Sequence, residues 1–97
     1  MKFIWDTQKN QKNIRKHKID LRDAYLVFQN PILVNVDDRE DYGEDRFIGI
    51  GLLDMRVVII VFTEIDDETI RVISLRKAIR KERKQYEKAY SNRFECY

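Results

Sequence analysis

Hydrophobic and polar positions follow two rhythms along this chain, one helical and one extended, and the switches between them mark its elements. Phe3-Ile4-Trp5 is a short apolar run that reads as a first strand. Asp6 then caps a helix, its carboxylate accepting a backbone N–H that has no partner within the helix. That helix, Thr7 to about His17, has almost no apolar residue beyond Ile14, so it is expected at the surface, held by its neighbours in sequence. Asp20 caps a second helix, where Leu21, Ala24, Tyr25 and Phe28 recur at i, i+3, i+4 and i+7. Asn30-Pro31 ends it, because a residue before proline is pushed out of the α region.

The rhythm then becomes extended. Ile32 to Val36, Arg46 to Leu52, Arg56 to Thr63 and Thr69 to Ser74 are β-branched runs bounded by turn residues, with a charged turn from Asp37 to Gly43. The short connections predict an antiparallel meander, since parallel strands need long crossovers. Val57-Val58-Ile59-Ile60-Val61-Phe62 does not alternate, so it is expected at the centre of the sheet, buried on both faces. From Leu75 to Tyr90 the helical period returns, with Leu75, Ala78, Ile79, Tyr86 and Tyr90 toward the sheet. Lys77, Lys81, Lys84 and Lys88 form one cationic stripe on that helix, and Arg76, Arg80 and Arg83 a second. The predicted fold is α+β, an antiparallel sheet with helices packed against it, in the order β-α-α-β-β-β-β-α. Residues 1–90 are read as one domain, and the tail 91–97 has no clear period.

Composition sharpens this picture in two places. Charged residues make up 37% of the 97, and no uncharged stretch approaches the ~20 residues of a membrane helix. The start has no signal-peptide apolar region, and the lone Cys96 excludes a disulfide framework or a cysteine-built zinc site, so a reduced cytoplasmic protein is expected. The net charge of +2 hides a strong asymmetry. Residues 1–22 carry seven Lys and Arg against two acids, residues 23–70 three against twelve, and residues 71–97 nine against three. A chain basic at both ends and acidic between points to an anionic partner or to self-complementary association, against the plainer reading of evenly solvated helix faces.

Familiar enzyme templates are missing. The chain has no GxGxxG, GxxxxGK[ST] or GxSxG. A Cys96–His17 pair is a poor nucleophile arrangement, and the Asp37-Asp38-Arg39-Glu40-Asp41 run lacks EF-hand spacing and suits a solvated turn better than a metal. What remains is a set of cations near strand ends and the last helix: Arg46, Arg71, Arg76 and Arg80, with His17, Tyr42, Glu44, Glu64, Ser74 and Tyr86 as companions. An arginine fork suits phosphate or carboxylate. Arg71 can equally be an exposed strand residue or pair with Glu64 next door.

These residues carry a resemblance. Phe3-x-Trp5-Asp6 with Lys9-Asn10, then Asn13-x-x-Lys16-His17-x-Ile19, form its first blocks. Asp38-x-x-Asp41-Tyr42-Gly43-Glu44-x-Arg46 with Ile50-Gly51, and Arg71-Val72-Ile73-Ser74-x-Arg76-Lys77-Ala78 with Glu82-Arg83 and Tyr86, complete it. In this order and spacing they resemble the BrnT family, toxins of bacterial type II toxin–antitoxin pairs. Lys18 stands where that family usually has glycine, so a left-handed helix end there would cost ~1 kcal/mol. Leu75 replaces the usual alanine.

The resemblance implies a RelE-like ribonuclease fold, the bacterial cytoplasm, and a ribbon-helix-helix antitoxin of the BrnA kind. It also implies operator DNA bound only through that antitoxin, and two toxin with two antitoxin chains. The expected activity is a metal-independent endoribonuclease that arrests translation, needing no cofactor because the RNA's own 2′-OH attacks the adjacent phosphate. Arg71 and Arg76, with Arg46 beside them, are assigned to phosphate, Ser74 offering backbone N–H groups at a helix start opened by Arg76. Proton transfer falls to His17, Glu44 or Glu64. Lys16, Tyr42, Ser74, Lys77, Arg80, Lys81, Lys84 and Tyr86 are the candidate RNA contacts. The rival expectation is a non-catalytic module whose basic helix docks an acidic protein.

Overall fold

A computed structural model describes residues 1–90; the tail 91–97, with Cys96, lies outside them. Five strands and three helices follow in the order β1 (Lys2–Ile4), α1 (Thr7–His17), a 3-10 turn (Leu21–Asp23) running into α2 (Ala24–Val27), β2 (Leu33–Val36), β3 (Phe47–Leu53), β4 (Arg56–Asp66), β5 (Thr69–Lys77) and α3 (Arg80–Ala89). The α+β class and the element order match the expectation. The sheet order is β1-β5-β4-β3-β2. Strands β2 to β5 form the antiparallel meander, but β1 joins the edge of β5 in parallel, Phe3 opposite Ile70, so the sheet is mixed. The long stretch between β1 and β5 supplies the crossover that a parallel pair requires.

Strand β4 is the central one, and its unbroken apolar run is buried on both faces. One face packs Val58, Ile60 and Phe62 with Val72 and Leu75 of β5 under Leu21, Ala24 and Val27 of the α2 segment. Gly51 lets α2 approach, since a Cβ there would sit 2.7 Å from Val27 Cγ1 and 2.9 Å from Ile32 Cγ1. On the other face Ile50, Leu52, Val57, Ile59 and Ala78 pack with Tyr86 of α3. Asp54 and Met55, both at positive φ (50° and 67°), form the two-residue turn that joins β3 to β4.

Two boundaries differ from the sequence reading. Leu75 to Lys77 continue β5 rather than opening the last helix, because Leu75, Arg76 and Lys77 pair with Ile60, Ile59 and Val58. The helix therefore starts at Arg80, and Ile79 stays outside it, exposed. Helix α1 turns inward not Ile14, which is exposed, but Asn13. The Asn13 amide donates to Leu75 O (2.9 Å) and Ile19 O (2.8 Å), and its Oδ1 accepts from Leu75 N (3.2 Å). β1 reaches only as far as Arg71, so Asn13 pairs the stretch of β5 edge that β1 leaves open. Asp6 caps α1 by accepting from Lys9 N, and Lys18 ends it in the left-handed region (φ 61°), as its place after Lys16-His17 predicts.

Candidate functional site

Beyond the patch covered by α3, the same sheet face presents Arg46, Thr63, Arg71, Ser74 and Arg76. The placement depends on a bulge in β5. Ser74 pairs with Val61 but Val72 with Phe62, so Ile73 is an extra residue without a partner in β4. Side chains alternate across a strand, and one inserted residue reverses every position after it. Without it Arg76 would face away from Arg71. With it, both stand on one face, opposite Ile59 and Thr63.

The turn before β3 folds onto this face. Its base is closed by Asp37 N donating to Arg46 O (2.7 Å), and Thr63 Oγ1 donates to Asp45 O (2.7 Å). The buried Asp37 carboxylate takes a two-pronged bond from Arg39 (2.7 and 2.8 Å), and that guanidinium holds its pKa down at about 2. The acidic run is thus a braced loop, with one carboxylate committed to arginine. Among the described residues no group of His, Cys, Asp and Glu is gathered in a way that could hold a metal ion.

Within this frame Arg71 donates to Glu44, and Arg46 Nε lies 3.7 Å from the same carboxylate oxygen. The Arg46 guanidinium sits 4.0 Å over the Tyr42 ring, a cation–π contact that flattens it against the loop. Its Nε is buried and donates to nothing among the described residues. Arg76, at the other end, grips Glu82 with both prongs (2.9 and 2.9 Å), and those bonds lower the Glu82 pKa. Glu82 also accepts from Ile79 N at the start of α3. His17 lies at this end, its pKa lowered by burial first and then by the charges of Lys16 and Arg76.

The candidate residues therefore fall into two groups. Arg46, Glu44, Arg71 and Tyr42 come together; Arg76 lies at the far end, near enough for its charge to act on His17, with Lys16 exposed and Ser74 half-buried. Five strand positions separate Arg71 from Arg76, on the order of 15 Å, so they engage separate acids and not one anion. Arg76 opens no helix, so the helix-start site around Ser74 does not form. Glu64 pairs in register with Ile70, is exposed and has no ion pair with Arg71 among the described residues, but it borders a groove that Glu44, Asp45 and Thr63 also line. Tyr86 offers nothing to RNA: it is fully buried, its hydroxyl donating to Pro31 O (2.7 Å). Arg80, Lys81 and Lys84 are exposed on α3, whereas Lys77 and Arg76 belong to β5 and drop out of the predicted helical stripes. The sequence reading places Asp37 and Arg39 in a solvated turn and gives Glu82 no role, but Asp37 is buried under its bond from Arg39. Glu82 carried a signal, three residues after a helix cap position, once the helix is started at Arg80.

Arginines paired with carboxylates on an open sheet face are the distinctive chemistry of this chain, and its relatives say to which class it belongs. The family model described as "Ribonuclease toxin, BrnT, of type II toxin-antitoxin system" matches residues 5–82. This is the toxin half of a toxin–antitoxin pair, a class whose partner is a protein antitoxin. The chain belongs to the BrnT family. It is similar to the Brucella abortus ribonuclease toxin, BrnT, solved at 1.1 Å: 32% identity over 82% of this chain and 99% of that one, with a TM-score of 0.64. No curated protein sequence matches it.

Proposed function

We propose that this toxin cuts RNA without a metal cofactor, at the Arg46–Glu44–Arg71 cluster. The observation that carries the reading is the buried Arg46 Nε with no acceptor, beside an Arg71 whose carboxylate partner is half-exposed. A phosphate oxygen is the acceptor both guanidiniums fit. The RNA 2′-OH attacks the adjacent phosphorus; the O2′–P bond forms, the P–O5′ bond breaks, and the 5′ oxygen leaves with a proton. Arg46 and Arg71 stabilise the charge that builds on the phosphoryl oxygens. The phosphate displaces Glu44 from Arg71, leaving that carboxylate at hand to take the 2′-OH proton. Arg76 holds a neighbouring phosphate.

One observation favours His17 as the base instead: its lowered pKa leaves the imidazole neutral, and able to accept a proton, at pH 7. The pH profile separates the two. With Glu44 as base, His17→Ala leaves the pH profile of cleavage unchanged. With His17 it falls once the pH drops below a value under 6.5, and His17→Ala removes that limb.

The rest of the reading follows from the family: translation arrest in a bacterial cytoplasm, and silencing by a ribbon-helix-helix antitoxin that carries the operator-binding surface. The deciding experiment incubates nuclease-free protein with RNA in EDTA. Cleavage is expected, with Arg71→Lys at least ten-fold slower, equal to ~1.4 kcal/mol of transition-state stabilisation, and its melting temperature nearly unchanged. Absence of cleavage, with and without ribosomes, overturns the reading in favour of a non-catalytic module that docks an acidic protein.

A further inference from the structure

We infer that the groove between α1 and β5 is a track for the sugar-phosphate backbone of single-stranded RNA, leading away from the His17 end of the site. The inference rests on the ribonuclease reading for its ligand, but on separate residues for its evidence. Helix α1 contains Lys9, Lys12, Arg15 and Lys16 and no acidic residue; of the acids bonded to it, Asp6 accepts from Lys9 N and Asp20 from Asn10 and Arg22 N. Lys9, Lys12 and Lys16 fall at i, i+3 and i+7, one face of the helix, at steps of about 4.5 and 6 Å along its axis.

That face borders a groove of about 190 Å³ lined by the three lysines, His17, Asn13 and Ile73. The groove exists because of two features already described. Asn13 ties α1 down onto the β5 edge, and the extra residue Ile73 faces it. None of the three lysines enters an ion pair among the described residues, whereas Arg71 and Arg76 are each held by an acid. Helix α3 is less suited, because Glu82 and Glu87 interrupt its cations. One end of the lysine row is His17, close enough to Arg76 for their charges to interact. A strand held by Arg76 therefore meets a continuing line of positive charge. The groove is shallow and open and its lining is mostly cationic, so the ligand is the backbone and the contact is independent of sequence.

The probe is a 12-nucleotide RNA with every 2′-OH methylated, which binds but cannot attack its own phosphates. Its affinity is measured against salt for the wild-type chain, for Lys9→Ala/Lys12→Ala, and for the control Lys2→Ala/Arg56→Ala, two exposed cations outside the groove. Each phosphate contact on a single strand contributes ~0.7 to the slope of log K against log salt, so the α1 variant should lose ~1.4 and the control variant little. Alanine favours helix at exposed positions, and an unchanged melting curve verifies that α1 is intact. A wild-type slope in the α1 variant overturns the track, as does an α1 variant that weakens only antitoxin binding. Cleavage in EDTA by the wild-type chain is scored independently: cutting with an unchanged slope removes the track alone, and a lost slope without cutting removes the ribonuclease reading alone.

Discussion

Asn13 does with one side chain what a neighbouring strand does with its backbone, supplying both a donor and an acceptor to Leu75. Removing it leaves buried backbone groups unpaired, which costs about 1–3 kcal/mol per group. Asn13→Ala is expected to lower stability in urea by about 2–4 kcal/mol, a loss at the top of the usual range for single substitutions. Polarity on a helix ordinarily marks the wet side, so nothing in the local pattern distinguished Asn13 from the other polar residues of α1. Asp37 makes a second prediction at this scale. Its carboxyl ionises at about 2 in the fold against an ordinary 3.8, so the charged form is favoured by folding. That contribution is complete above the ordinary value and is lost as the pH falls from about 4 toward 2. It is worth on the order of 1 kcal/mol, discounted because Arg39 is mostly in water. Asp37→Asn should flatten this part of the melting temperature against pH and lower stability at pH 7.

Among the elements, α1 ends on a strained residue. Lys18 adopts φ 61° where glycine is free to do so, and its Nζ bond to Arg15 O is exposed and weak. Lys18→Gly should therefore stabilise the protein by about 1 kcal/mol, seen as a higher melting temperature at unchanged cleavage. The α1 boundaries, the central strand and the meander were legible because capping residues and hydrophobic period agree there with tertiary structure. The β5–α3 boundary was not. Leu75, Ala78 and Ile79 mimic a helical face, and it is pairing with β4 that keeps Leu75 to Lys77 extended. The parallel place of β1 and the bulge at Ile73 depend on partners far away in sequence. For the same reason the sequence yielded Arg46, Glu44, Arg71 and Tyr42 as neighbours in composition, while giving Arg76 the wrong element and offering Glu64 as a partner for Arg71.

At the scale of the molecule, the three charge blocks take up distinct work. The basic α1 lies beside β5, the acidic middle supplies the loop that braces Arg46 and Arg71, and the basic end supplies Arg71, Arg76 and α3. An antitoxin that silences such a face must cover it, and an interface of at least ~1,000 Å² is needed for a stable complex. With a ribbon-helix-helix partner, native mass spectrometry should find two chains of each kind, and arginine-face variants should weaken the complex as well as cleavage. One-to-one particles at micromolar concentration would contradict that assembly. The pairing of residues 2–4 with residues 69–71 also sets a schedule. A ribosome adding roughly 5–20 residues per second releases β1 and α1 some seconds before the strand that carries Arg71 and Arg76. Until then Asn13 has no edge to hold and the arginines do not yet exist. On the ribonuclease reading, the growing chain therefore lacks its phosphate-holding face until β5 has left the ribosome.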